Sequence, residues 1–182
     1  MSIKANNRFL VATASLLLLA IVVFSSCLEN CGGKKEPPIA SQQSGAEITV
    51  YFTKSRGSNT VTEGVVRPVP VEADSQLEYA LEQLLKGPSN TESVQGFYSE
   101  IPKGTRLLEV ADNNGKLTIN LSRQFTSGGG SNSIKQRMAE LEQTVRSVAK
   151  DQPVFVTVEG QKLETMGGEG LEVEQPITNN PG

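Results

Sequence analysis

Residues 105–122 read TRLLEVADNNGKLTINLS. Apolar and polar residues alternate on both sides of Asn114-Gly115, and an Asn-Gly pair between two such runs is the strongest short-range signal for a β-hairpin. We therefore predict two antiparallel strands, at 105–111 and 116–122, joined by a tight turn. The other predicted elements lie on either side of this hairpin.

A helix is predicted before the hairpin. Asp74 or Ser75 can cap it, since Ser75 and Glu78 have the spacing of a capping box, and Gly87-Pro88 ends it. Burying the leucines of its apolar face would make this helix a core element. That face comprises Leu77, Ala80, Leu81, Leu84 and Leu85.

A second helix is predicted after the hairpin. It should begin at Ser133, which has the capping-box spacing to Gln136. The apolar residues recur at helical spacing and need a sheet beneath them. This stripe comprises Ile134, Met138, Leu141, Val145 and Val148. The residues that we expect on the exposed face are Arg137, Glu140, Glu142 and Arg146.

Two strands are predicted at the start of the domain. Residues 47–53 are rich in β-branched and aromatic side chains and precede a loop at 54–59. The valines of 65–71 indicate a second strand. Pro68 and Pro70 lack the amide hydrogen that a central strand needs, so this strand should lie at a sheet edge.

The last predicted strands are 152–158 and 162–165, with a turn at Glu159-Gly160. The order is then strand, strand, helix, hairpin, helix, hairpin. This order predicts an α+β fold: a two-layer sandwich with a mixed sheet of five or six strands and two amphipathic helices on one face. The domain should span 47–177, and residues 178–182 should form a disordered tail.

The amino terminus has the composition of an export signal. Lys4 and Arg8 precede an almost wholly apolar run from Phe9 to Phe24. We predict that residues 1–26 are a signal peptide or a signal anchor. Residues 27–46 are rich in Gly, Pro, Ser and Gln and should form a flexible linker.

Residues 23–27, Val-Phe-Ser-Ser-Cys, resemble the end of a bacterial lipoprotein signal. This resemblance implies that Cys27 receives the lipid and becomes the first residue of the mature chain. Two alternatives stay open. The signal can remain as an uncleaved anchor, with Cys27 and Cys31 both exported, or it can be cleaved without lipidation. In all three cases the domain is expected outside the cytoplasm. The lipid or the uncleaved anchor would hold it at the membrane, whereas simple cleavage would release it.

Composition excludes several function classes. The chain has no histidine, which removes Ser-His-Asp and Cys-His catalysis and histidine-ligated zinc. It has 17 basic and 20 acidic residues, so nucleic acid is not an expected partner. The segment Ser127-Gly-Gly-Gly-Ser131 lacks the Gly-Lys-Ser/Thr ending of a phosphate-binding loop. We expect no catalytic residues, no metal site and no cofactor.

The segment 159–174 contains five glutamates and one lysine. Paired carboxylates can hydrolyse a glycosidic bond, so a glycan-acting enzyme is the alternative hypothesis for the function. A calcium site around Gly167-Gly168-Glu169 is a weaker alternative, because the Asp-rich spacing of known calcium loops is missing.

Four phrases resemble, in order and spacing, the GerMN (germane) domain of bacterial sporulation and spore-germination proteins. They are LLKGP at 84–88, FYSEIPKGT at 97–105, LTINLS at 117–122 and GGEGL at 167–171. The resemblance covers about 48–177 and accounts for one such domain. It implies an exported, often lipid-anchored binding or scaffold module of the cell envelope, with an envelope protein or peptidoglycan as partner. Our candidate partner-binding residues are Phe97, Tyr98 and Glu169. The two aromatics are expected on the surface beside a Pro-Gly turn, and the alternative is that they fill the end of the sheet.

Overall fold

The computed structural model describes residues 46–178. The predicted signal, Cys27 and the linker up to residue 45 lie outside the described residues, as does the tail from 179. The described strands are β1 (Glu47–Arg56), β2 (Asn59–Pro68), β3 (Phe97–Tyr98), β4 (Leu107–Asp112), β5 (Leu117–Leu121), β6 (Val154–Val158), β7 (Gln161–Lys162), β8 (Thr165–Met166) and β9 (Leu171–Glu172). The helices are α1 (Gln76–Lys86), α2 (Asn90–Val94) and α3 (Ser131–Ala149), with a 3-10 helix at Arg123–Thr126.

The first sheet is antiparallel and has the order β2-β1-β3. Strands β1 and β2 pair without interruption from Glu47 opposite Pro68 to Arg56 opposite Asn59. The connecting turn is only Gly57-Ser58, so the predicted loop at 54–59 is wrong: both strands continue almost to the turn, where Gly57 adopts a φ of 62°. Strand β2 lies at the sheet edge, as its prolines indicated.

The second sheet has the order β4-β5-β6-β7. The predicted hairpin is confirmed as β4 and β5, which pair antiparallel up to Asp112 opposite Leu117. Strand β6 runs parallel to β5, with Val154 opposite Leu117. A parallel pair needs a long crossover, and α3 with its flanking loops supplies it. Strands β8 and β9 form a separate two-stranded sheet.

The predicted α+β class and mixed strand pairing are confirmed. The predicted numbers of strands and sheets are too low: we expected one sheet with five or six strands, and residues 46–178 contain nine strands in three sheets. Four of these strands have two residues each, and α2 has five. Elements this short contain no hydrophobic period for a sequence pattern to display.

The two long helices differ in how well their starts were predicted. Ser75 caps α1 and accepts a hydrogen bond from the Glu78 amide at 3.3 Å, as expected. Helix α3 begins two residues before the predicted cap, after Gly130. Ser133 is not a cap because its hydroxyl donates instead to the Glu100 carboxylate at 2.5 Å.

One hydrophobic core joins the helices and the sheets. Helix α3 packs on β1, β2 and α1, and α1 also packs on β1. Thr178 belongs to this fold: its hydroxyl accepts from the Val154 amide at 3.1 Å and donates to the Gln152 carbonyl at 2.9 Å. Thr178, one residue past the predicted boundary of the domain, therefore takes part in the hydrogen bonding of the fold. Between residues 46 and 178, no helix combines the length and apolar character needed to cross a bilayer.

Candidate functional site

Helix α3 presents polar side chains to the edge of β1 that faces away from β2. Thr144 Oγ1 accepts a hydrogen bond from the Tyr51 amide at 2.9 Å. One turn further along, Ser147 Oγ donates to the Thr49 carbonyl at 2.7 Å. These side chains satisfy backbone groups that a neighbouring strand would otherwise pair, so α3 covers the open part of this sheet edge.

Glu140 continues the same row and is fully buried. Its Oε1 accepts from the Thr53 amide at 3.2 Å, the Thr53 hydroxyl at 2.5 Å and the Glu100 amide at 3.0 Å. Its Oε2 accepts from the Ser99 hydroxyl at 2.6 Å. Burial raises the pKa of Glu140, while the hydrogen bonds from Ser99 and Thr53 act in the opposite direction.

Arg137 lies one turn before Glu140 and is only 2% exposed. Its guanidinium donates to three carbonyls: Glu100 at 2.9 Å, Phe125 at 2.7 Å and Gly128 at 3.1 Å. Burial lowers the pKa of Arg137, and the nearby charges of Glu100 and Glu140 partly offset this effect. A rigid guanidinium with several donors is suited to holding separate backbone segments together.

Arg137 and Glu140 together hold two of the motifs noted in the sequence. The segment 97–105 is anchored through Ser99 and Glu100, and the glycine-rich segment 127–131 is anchored through the Gly128 carbonyl. The network therefore fixes both loops on α3. Both oxygens of Glu140 are occupied and its side chain is inaccessible, which gives it a positioning role.

A polar cleft of about 380 Å³ lies between the two glycine-rich segments, 127–131 and 167–171. Gly167 has a φ of 73°, and a Cβ there would lie 2.5 Å from Ile134 Cδ1 of α3. At the rim, the Ser131 hydroxyl donates to the Glu169 carboxylate. The glycines thus allow the two loops to pack closely on α3. The cleft is lined by Thr126, Gly128, Gly129, Thr165, Met166, Gly167 and Gly168.

A larger groove of about 480 Å³ lies between α3 and the carboxy-terminal segment 171–177. Its lining combines apolar side chains with charged ones. The apolar side chains come from Met138, Ala139, Leu171, Val173, Pro176 and Ile177. The charged side chains come from Lys135, Glu142, Glu172 and Glu174. The groove is open to solvent and has the mixed character of a binding surface.

The carboxy-terminal wall of this groove is fixed to β6. Gln175 Nε2 donates to the carbonyls of Val156 at 3.0 Å and Leu163 at 3.1 Å, and its Oε1 accepts from the Val156 amide at 3.0 Å. The Ile177 amide donates to the Val154 carbonyl at 2.8 Å. The segment therefore pairs with the edge of β6 almost as a strand would, partly through a side-chain amide.

The candidate partner-binding residues have different environments. Phe97 is 6% exposed, and Lys54 Nζ lies 4.2 Å from the centroid of its ring. Phe97 is therefore not on the surface. Its ring packs in the core, which favours the alternative that this aromatic fills the end of the sheet. Tyr98 is 36% exposed, and Glu169 is exposed beside the polar cleft. Their roles in binding a partner stay predictions.

Arg137 and Glu140 were expected on the exposed face of α3, and both expectations are wrong. They are buried because they serve backbone groups that α3 covers. The spacing contained a signal for Arg137, since Ile134, Arg137 and Leu141 recur at intervals of three and four on one helix face. Arg137 was nevertheless assigned to the exposed face because its side chain is charged.

Within residues 46–178, no three side chains of His, Cys, Asp or Glu come together as a metal site would require. The alternative calcium site around Gly167-Gly168-Glu169 therefore has no such group in the part of the chain that the structure describes.

The fold, the supported loops and the open groove define an α+β domain with one long helix that carries a groove on its surface. The Germane family model, described as sporulation and spore germination, matches residues 49–164. The chain belongs to the Germane family.

Solved structures share this fold. The tandem GerMN domains of the sporulation protein GerM from Bacillus subtilis have a TM-score of 0.60 and 17% identity, covering 78% of this chain and 48% of that one. The chain thus spans about half the length of the tandem-domain protein. The first GerMN domain of the same protein has a TM-score of 0.57 and 16% identity, covering 71% of this chain and 95% of that one. No curated protein matches the chain.

Proposed function

We propose that the chain is a membrane-tethered binding or scaffold module on the extracytoplasmic side of a bacterial cell envelope. The observation that carries the binding role is the open groove between α3 and 171–177, whose two walls are held in place by the fold. The apolar run from Phe9 to Phe24 and the following Cys27 support the tether.

Cys27 is the proposed lipid attachment site. Each acyl methylene buried in a bilayer contributes about 0.8 kcal/mol, so several chains on one cysteine hold a protein firmly. An uncleaved signal anchor is the alternative form of the tether. In either form the 20-residue linker at 27–46 keeps the domain within roughly 70 Å of the membrane when it is fully extended.

Metabolic labelling tests the lipid. Cells that express the full chain are grown with a fatty-acid analogue, and the wild type is compared with Cys27→Ser. We expect label on the wild type and none on Cys27→Ser, with Cys31→Ser as a matched control that retains the label. An unlabelled wild type in the membrane fraction would show the signal-anchor form instead.

The proposed partner is an envelope protein or peptidoglycan. The domain is not suited to nucleic acid, because the chain is acidic overall and the larger groove carries three glutamates against one lysine. The groove lies on α3, which the Glu140 and Arg137 network fixes to the rest of the fold. A preformed surface of this kind loses little conformational entropy on binding.

Photocrosslinking in living cells tests the binding role. A photoreactive amino acid replaces Val173 in the groove of the full chain, and a matched variant carries it in place of the exposed Glu82 on α1. We expect a discrete adduct from position 173 and none from position 82. Recovery of the monomer alone from position 173 would count against the groove as a binding surface.

The glycan-acting enzyme gains no support from the described residues. The alternative would use paired glutamates of the segment 159–174, and those glutamates are all exposed to solvent: Glu159, Glu164, Glu169, Glu172 and Glu174. A glutamate that donates a proton to a sugar is held in an apolar setting, which an exposed side chain does not have. We therefore propose a binding role.

A further inference from the structure

The larger groove has an uneven charge distribution. Glu172 and Glu174 are both exposed on its carboxy-terminal wall, and Glu142 lies on the α3 wall. Lys135 is the only basic residue that lines it. Glu142 is paired with Arg146 at 3.0 Å, so most of the uncompensated negative charge comes from Glu172 and Glu174.

The floor of the groove is apolar and partly accessible. Met138 and Ala139 on α3 face Val173 on the opposite wall, and all three are half-buried. Methionine adapts its shape to different side chains, and alanine leaves space above the helix. Partly exposed apolar surface with a charged rim is typical of protein interaction sites.

The alternation along the wall fits an extended partner. Val173 is half-buried, and the glutamates on either side of it are exposed. The wall itself is held by the Gln175 hydrogen bonds to β6, so the position of these three side chains does not depend on a partner. The groove has a volume of about 480 Å³, which is within the range of clefts that bind ligands in other proteins.

We infer that this groove docks a protein segment whose apolar side chains are flanked by Lys or Arg. The inference rests on the proposed binding function and specifies the partner for that surface. The apolar side chains would occupy the floor against Met138 and Ala139, and the basic groups would pair with Glu172 and Glu174. The same rim charge disfavours the surface of an anionic membrane.

A pair of synthetic peptides tests the inference. One is an acetylated twelve-residue peptide that alternates leucine and lysine, and the other replaces each lysine with glutamate. Binding is measured by fluorescence anisotropy to the full chain in nanodiscs of zwitterionic lipid, with empty nanodiscs as the blank. We expect saturable binding of the leucine-lysine peptide and at least tenfold weaker binding of the leucine-glutamate peptide.

Matched variants locate the binding. Glu172→Lys with Glu174→Lys reverses the rim, and Glu78→Lys with Glu82→Lys reverses two exposed glutamates on α1 to the same net charge. We expect the rim variant to weaken the leucine-lysine peptide about tenfold at low salt and the α1 variant to change it less than twofold. Ala139→Trp fills the floor and should weaken the peptide by a similar factor.

Unfolding midpoints show whether each variant folds. If Ala139→Trp does not fold, the variant with Glu172→Lys and Glu174→Lys tests the inference without it. Equal effects of the rim and α1 variants, equal binding of both peptides, or no binding to the wild type would overturn the inference. If groove crosslinks to another envelope component persist in that case, the binding module stands and only the chemistry of its partner is wrong.

Discussion

Glu140 shows how one buried carboxylate joins three parts of the chain. It lies on α3 and accepts four hydrogen bonds: two from Thr53 of β1, and two from Ser99 and Glu100 in the loop after β3. A buried charge is tolerated only when such partners replace its hydration. The hydrogen bonds of Glu140 therefore hold the segment 97–105 in a fixed position on α3.

Removing the carboxylate should destabilise the domain. In Glu140→Ala the amides of Thr53 and Glu100 lose their acceptor while buried, and we expect the free energy of unfolding to fall by about 3 kcal/mol. Glu140→Gln keeps one acceptor oxygen and should lose less than half as much. Urea unfolding measures both, and equal losses in the two variants would contradict the assigned hydrogen bonds.

The pKa of Glu140 also predicts a pH dependence. Because burial raises this pKa, the folded state holds the proton more tightly than the unfolded state does. The free energy of unfolding should therefore decrease as the pH rises from the ordinary glutamate value of about 4.3 through the raised pKa. Glu140→Gln should lack this part of the decrease, so the two unfolding curves should have different pH slopes in that range. Identical slopes would show that Glu140 titrates normally.

Gly167 provides a test of loop packing. In Gly167→Ala the new Cβ meets Ile134 Cδ1, and Ile134 is too well buried to move easily. Gly170→Ala is the matched control, since it has a similar φ of 67° but open space around it. Both should lose about 1 kcal/mol to backbone strain, and Gly167→Ala should lose roughly 1–3 kcal/mol more. Equal melting temperatures would mean that the loop shifts without cost.

At the level of single residues, the sequence predicted the apolar positions better than the buried polar ones. Leu141 and Val145 are buried as their spacing indicated, and Ser75 caps its helix. Arg137 and Glu140 were misassigned because their burial depends on carbonyls and amides distant in the sequence. No local pattern shows which backbone groups a helix will cover.

The carboxy-terminal segment is the element with the most direct link to the proposed function. It forms one wall of the groove, and its contact with β6 combines the hydrogen bonds of the Gln175 side chain with those of Ile177 and Thr178. The segment has little regular structure of its own beyond β9. Its stability should therefore be separable from that of the core.

Gln175→Ala should loosen this wall. The amide of Val156 and the carbonyl of Leu163 lose the hydrogen bond from Gln175, whereas the carbonyl of Val156 keeps the one from the Leu163 amide at 3.1 Å. We expect about 2 kcal/mol lower stability. Hydrogen exchange at the Ile177 amide should accelerate at least tenfold, whereas exchange in β1 should change less. Gln124→Ala, at an exposed position, is the control. Uniform acceleration across the domain would contradict a locally anchored wall.

At the level of elements, the long ones could be predicted and the short ones could not. The Asn-Gly hairpin, α1 and strand β6 follow from local turn, cap and hydrophobic signals. Strands β3, β7, β8 and β9 exist because neighbouring chain segments supply partners. Their formation depends on the tertiary structure, which a local pattern does not contain.

At the level of the whole molecule, α3 has two roles. Its buried polar row fixes the loops of the family motifs, and its half-buried residues Met138 and Ala139 form the floor of the groove. The groove could not be predicted because its walls, 135–142 and 171–177, are far apart in the sequence. The family could be predicted, since its phrases lie in order along the chain.

We propose that this domain is held outside the cytoplasmic membrane, on the side where its partner lies. The most direct test uses Ser58→Cys, in the exposed turn between β1 and β2, in a chain that also carries Cys31→Ser. A membrane-impermeant maleimide is added to cells whose outer layers are permeable and whose cytoplasmic membrane is intact, with Cys31→Ser alone as the control. We predict that Ser58→Cys is labelled to the same extent before and after lysis, and labelling only after lysis would contradict the claim.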